Sequence, residues 1–77
     1  MRIKLKGVLH GVHAIEKVGD DSFRVFTTPG LVKYNSMTMR GQVLGDALRE
    51  RFDELEAQGG DQDEMKRLAE AIRKYRV

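Results

Sequence analysis

The first part of the chain alternates between polar and apolar residues with a period of two. Residues 2–6 read Arg-Ile-Lys-Leu-Lys, which places two apolar side chains on one face of a strand and three cations on the other. Residues 12–18 and 22–28 are rich in β-branched and aromatic residues, as strands are. Residues 31–34 complete the series as a short last strand. The pattern predicts an antiparallel β-meander of three to four strands.

Turn-forming residues separate these predicted strands. Residues 19–22, Gly-Asp-Asp-Ser, predict a hairpin turn between the second and third strands. Pro29 and Gly30 fit the two central positions of a type II turn, where glycine accepts a positive φ. Gly7 and Gly11 predict a bulge or bend before the second strand.

After Asn35 the apolar period changes to that of a helix. Val43, Leu44, Ala47, Leu48, Phe52 and Leu55 share one helical face. Ser36 or Thr38 is the predicted N-cap of this helix, and Gly59 and Gly60 end it. A second helix follows Asp61, which is its predicted N-cap, with Glu64 in the capping-box position.

These patterns together predict an α+β fold. An N-terminal antiparallel β-meander of three to four strands precedes a C-terminal antiparallel two-helix hairpin that packs on one sheet face. We expect one small domain over residues 1–77, with a β-rich half at 1–35 and a helical half at 38–77. A chain this short has a small core, which favours association with a partner.

Charge is unevenly distributed along the chain. Residues 1–45 carry seven basic and three acidic residues, whereas residues 46–70 carry four basic and nine acidic residues. The strands predict a basic sheet face, formed by Arg2, Lys4, Lys6, Lys17, Arg24 and Lys33. The first helix predicts an acidic helix face, formed by Asp46, Glu50, Asp53 and Glu54. Each face is a candidate partner-binding surface, and each is also what solvated charge alone produces.

Few residues are suited to catalysis or to metal binding. The chain has no cysteine, and neither of its serines lies in a Gly-x-Ser-x-Gly motif. His10 and His13 are the only histidines, and a metal site there would need Glu16 or Asp20 as a further ligand. The sequence therefore predicts no catalytic residue, no metal site and no cofactor.

Three functional hypotheses follow from these features. The first is a small cytoplasmic, non-enzymatic interaction module, regulatory, inhibitory or assembly-related, which binds another protein and can form a homodimer. Tyr34, Met37 and Met39 form its candidate apolar contact surface, although core packing is the more frequent role of such residues. The alternative is a nucleic-acid-binding protein that uses the basic sheet face and the C-terminal cations Arg73, Lys74 and Arg76. The third is a small ribonuclease-like enzyme built on His10 or His13. No apolar run is long enough to predict a membrane span. No motif implies a small-molecule ligand.

Overall fold

A computed structural model describes residues 1–28 and 35–77 of the chain. Four strands are followed by two helices: β1 Arg2–Leu5, β2 Val8–Gly19, β3 Ser22–Thr27, β4 Asn35–Arg40, α1 Gly41–Gln58 and α2 Gln62–Tyr75. The strands form one antiparallel sheet in the order β1-β2-β3-β4, and it curls around the helices. The predicted α+β meander with a helical hairpin packed on it is confirmed.

The core lies between the inner face of the sheet and the helices. Its fully buried side chains come from β1 (Ile3), β3 (Val25), α1 (Leu44, Leu48) and α2 (Leu68). Tyr75 ties α2 to the sheet, since its ring meets Phe23 edge-on at 5.6 Å and its hydroxyl donates to the carbonyl of Ile15 at 3.1 Å. Both helices therefore contribute to covering one face of the sheet.

The first hairpin was not predicted in its actual form. Lys6 and Gly7 form a two-residue turn with φ of 50° and 78°, so that Leu5 pairs with Val8 and β2 begins well before residue 12. Both φ values are positive, as a type I′ turn requires. The bend expected at Gly11 is a β-bulge between Val12 and Ala14 instead.

Two irregularities in β2 change which of its side chains face the core. The bulge at His13 resets the phase, so that Val12 and Ile15 both pair with core-facing residues of β3. A second register shift lies between Lys17 and Gly19, next to the predicted hairpin turn at residues 19–22, which is confirmed. Irregular patterning in this strand therefore reflects bulges and not a break in the sheet.

The boundary between strands and helices was predicted too early. Residues 35–40 form β4, and the N-cap of α1 is Arg40, so the predictions that Ser36 or Thr38 caps this helix and that the helical half starts at residue 38 are wrong. Alternating Met37 and Met39 place their side chains on the inner face beside Val25 and Phe23. The predicted strand at residues 31–34 and the turn at Pro29 and Gly30 lie outside the described residues.

The signals around α2 are largely confirmed. The carboxylate of Asp61 accepts from the backbone N–H groups of Asp63 and Glu64, and Gly59 ends α1 with φ of 63°. Glu64 does not complete the predicted capping box by reaching back to Asp61. Its carboxylate accepts instead from the backbone N–H of Arg2 at 3.0 Å and from Arg51.

Candidate functional site

The predicted basic sheet face is divided between two sides of the sheet. Lys17 pairs with buried Phe23, so it lies at the end of the inner face. Arg24 lies on the outer face directly opposite Glu16, whose charge opposes its own. Lys33 lies outside the described residues. The structure therefore does not assemble these cations into one patch.

Lys4 and Glu54, predicted on two separate binding faces, bind each other. The Lys4 Nζ lies 2.5 Å from Glu54 Oε2, and both side chains are less than one-third exposed. Arg51 lies 2.5 Å from the other oxygen of Glu54 and 3.3 Å from Glu64. These side chains form a continuous charged network that joins β1, α1 and α2.

The charged network favours the ionised forms of its own side chains. The hydrogen bond from Lys4, followed by that from Arg51, lowers the pKa of the Glu54 carboxyl from its ordinary value. The hydrogen bond to Glu64, opposed by burial and aided by Glu54, raises the pKa of Arg51. Lys4 and Glu54 are therefore engaged with each other and with Arg51 within the fold.

The remaining acidic residues of α1 face solvent. Asp46 is exposed and pairs with Arg49 at 2.8 Å. Glu50 and Asp53 are exposed, and no ion pair within residues 1–28 and 35–77 uses either of them. The available acidic surface is therefore the stretch from Asp46 to Asp53, one side of which borders a groove.

This groove, the largest of the described concavities at about 670 Å³, lies where the curled sheet meets α1. Its walls come from the β1–β2 hairpin, from β4 and from the first half of α1. The lining residues are Lys4, Leu5, Lys6, Val8, His10, Met37, Thr38, Met39, Val43, Asp46, Ala47 and Glu50. We call it the hairpin groove.

Two valines at the hairpin groove are unusually exposed. Val8 is 55% exposed and Val43 is 49% exposed, although they come from different elements and meet at the same concavity. Single exposed apolar residues are common, but a contiguous apolar concavity with polar edges is typical of a binding surface. Met37 and Met39, the adaptable side chains that the sequence singled out, lie in the same groove, whereas Tyr34 is outside the described residues.

Sequence reasoning missed most of the hairpin groove because its walls are far apart in the chain. Leu5 and Val8 line the same concavity as Val43 and Ala47, although about forty residues separate them in the chain. The one available signal was Val43, which takes a place in the helical stripe of α1 and yet is half exposed. An apolar residue of a helical stripe that stays exposed in the fold indicates a surface that a partner can bury.

The other predicted chemical groups lie apart from one another. His10 lines the hairpin groove, while His13 lies at the bulge of β2 and lines two smaller concavities. In the described part of the chain, no three histidine or acidic side chains come together as metal ligands would. Among the C-terminal cations, the Lys74 Nζ lies 5.3 Å from the centre of the Tyr75 ring.

No protein-family model, curated protein or solved structure matches this chain. Within residues 1–28 and 35–77, neither helix has the length and apolar character that crossing a membrane requires.

Proposed function

We propose that this chain is a non-enzymatic protein-interaction module that binds its partner in the hairpin groove. The observation that carries the proposal is the convergence of exposed Val8 and Val43 with Met37 and Met39 on one concavity. Covering a half-exposed valine contributes about 1 kcal/mol, so several such contacts support a specific but reversible complex.

The charges around the groove favour a partner segment that is apolar and basic. Glu50 and Asp46 lie exposed on the α1 side, and Asp53 extends the same acidic surface. On the opposite side the charge of Lys4 is already matched by Glu54, and Lys6 at the hairpin turn is the exposed cation. A segment with apolar side chains in the groove and a lysine or arginine beside α1 complements both features.

The nucleic-acid alternative has less support. Its cations are split between Arg24 on the outer face, Lys17 on the inner face and Lys4 within the charged network. Phosphate binding draws its affinity from several cations on one surface, and the predicted basic sheet face does not bring its described cations together in that way. The C-terminal cations Arg73, Lys74 and Arg76 are the part of this alternative that is left.

The test is a selection of displayed random peptides on the whole protein, with binding of the enriched peptides then measured to two matched variants. Val43→Asp places a charge in the groove at the start of α1, where an acidic residue suits the helix dipole. Val18→Asp makes the same change at another exposed valine, 40% exposed, outside the groove.

We expect enriched peptides to combine apolar and basic residues, and to bind Val43→Asp about tenfold or more weakly while binding Val18→Asp as they bind the parent. Glu50→Lys should shift the selected peptides from basic to acidic residues. Enrichment of no peptide, or equal binding to both aspartate variants, contradicts the proposal. Affinity for single-stranded RNA that falls steeply with salt supports the nucleic-acid alternative instead.

A further inference from the structure

Among residues 1–28 and 35–77, the outer edge of β4 is the least protected part of the sheet. β4 pairs with β3 in an uninterrupted register from Asn35 to Arg40, and it contains no proline, lysine or bulge. Proteins commonly use those features to prevent edge strands from pairing with other chains. An unmodified edge of this kind is a template for another strand.

The other edge strand, β1, is protected by the rest of the fold. The backbone N–H of Arg2 donates to Glu64 of α2, and the Lys4 side chain reaches Glu54 of α1. The helices therefore occupy this edge, and the contrast isolates β4 as the edge open to pairing.

The hydrogen bond beyond β4 shows which of its backbone groups face outward. Gly41 donates to the carbonyl of Asp21 at 3.3 Å, one step beyond the pair Arg40 and Ser22 in the same register. Bonded and non-bonded pairs alternate along antiparallel strands. Met37 and Met39 consequently bond to β3, whereas Ser36 and Thr38 direct their N–H and C=O groups to the open edge. No hydrogen bond within the described residues uses those outward groups.

We propose that β4 pairs antiparallel with β4 of a second copy of this chain, about a two-fold axis at Thr38. Outward bonding groups must meet, so Thr38 pairs with Thr38 of the second copy and Ser36 pairs with Arg40. Met37 then lies opposite Met39 on the inner face, and Thr38 opposite itself on the outer face, which are both favourable neighbours. The only charge in β4, at Arg40, faces an uncharged serine.

The self-complementary sequence of β4 favours a second copy over an unrelated strand. An isologous two-fold pairing needs a surface that is complementary to itself. β4 meets this requirement, because apolar residues lie opposite apolar residues and no two like charges lie opposite each other. Met37, Thr38 and Met39 also form one wall of the hairpin groove. Pairing at β4 therefore joins the grooves of the two copies across the axis. A single strand pair buries less than a standard interface, so we expect a dissociation constant in the micromolar range.

The experiment is analytical ultracentrifugation of the whole chain from about 1 µM to about 1 mM, with two variants at one position. Thr38→Pro removes the outward N–H and obstructs the edge. Because the N–H of residue 38 points away from β3, the hydrogen bonds between β4 and β3 are kept. Thr38→Ala removes the side chain alone. Circular dichroism and thermal unfolding establish that both variants are folded.

We expect the parent and Thr38→Ala to dimerise alike, and Thr38→Pro to dimerise at least about tenfold more weakly. A parent that stays monomeric up to the highest concentration overturns the proposal, as does a Thr38→Pro dimer as tight as that of Thr38→Ala. A monomeric parent overturns the dimer, and if its selected peptides bind Thr38→Ala and Val43→Asp as they bind the parent but do not bind Thr38→Pro, the edge accepts a foreign strand instead. The dimerisation results do not depend on Val43, so failure of the proposed dimer is distinguishable from failure of the proposed groove.

Discussion

Replacement of Arg51 by methionine tests the charged network that joins the three elements. Arg51 is 7% exposed, and its guanidinium bonds to Glu54 and to Glu64, whose side chains are 23% and 14% exposed. Methionine retains the packing of the aliphatic stem but leaves two partly buried carboxylates without this cation. The buried ion pair is thereby broken from one side only, which is the costly way to break it.

Breaking a buried pair in this way costs about 3–5 kcal/mol. Lys4 still bonds Glu54 and the Arg2 N–H still bonds Glu64, so we expect the lower end, about 3 kcal/mol. A domain of 77 residues has a free energy of unfolding of about 4–12 kcal/mol, so the loss is a large part of the total. The midpoint of thermal unfolding should fall by about 12–24 °C.

Urea unfolding followed by circular dichroism measures the effect, and Arg49→Met is the matched control. Arg49 is in the same helix and also has a partner three residues away, Asp46, and its guanidinium donates to the carbonyl of Val77, but its side chain is 46% exposed. An exposed pair of this kind contributes less than about 1 kcal/mol. If Arg51→Met costs no more than Arg49→Met, the reasoning that assigns the network a stabilising role is wrong.

Three further predictions concern single residues. Because the pKa of Glu54 is lowered, the contribution of its carboxylate to stability is complete above the ordinary value of 4.5 and is lost as pH falls through the folded-state pKa. The difference in the free energy of unfolding between the parent and Glu54→Gln, measured in urea, should therefore become smaller in acid. Gly7→Ala should cost about 1 kcal/mol, because φ is 78° and no atom lies near the added Cβ to contribute or clash; Gly19→Ala, where φ is not positive, should cost less. Asp61→Ala should cost about 1 kcal/mol in thermal unfolding, whereas Asp61→Asn retains the cap and should change little.

The fold class could be predicted because each half of the chain has a clear period. The errors arose where one residue type suits two structures. Ser36 and Thr38 are good helix caps, but they are equally good outward residues of a strand whose inward residues are Met37 and Met39. The first turn could not be predicted at Lys6. A positive φ is expected of glycine, whereas lysine rarely adopts one, so a lysine at this position does not indicate a turn.

The candidate site could be predicted only in part. Met37 and Met39 were visible as an adaptable apolar pair, and Glu50 as an exposed acid. The contact between Lys4 and Glu54 could not be predicted, because residues fifty positions apart give no local indication that they bind each other. The curl of the sheet, which brings Val8 to Val43, is likewise a property of the whole fold.

The charged network also has a consequence for how this chain folds. Its contacts join Lys4 to Glu54 and Arg2 to Glu64, so the first strand is held by partners separated from it by 50 and 62 residues. A nascent or truncated chain cannot form these contacts, and a hairpin such as β1–β2 is barely stable alone. Such long-range contacts close large loops, which slows folding. They also make the stability of β1 depend on α2. Loss of α2 should therefore loosen β1, although the two elements are far apart in the sequence.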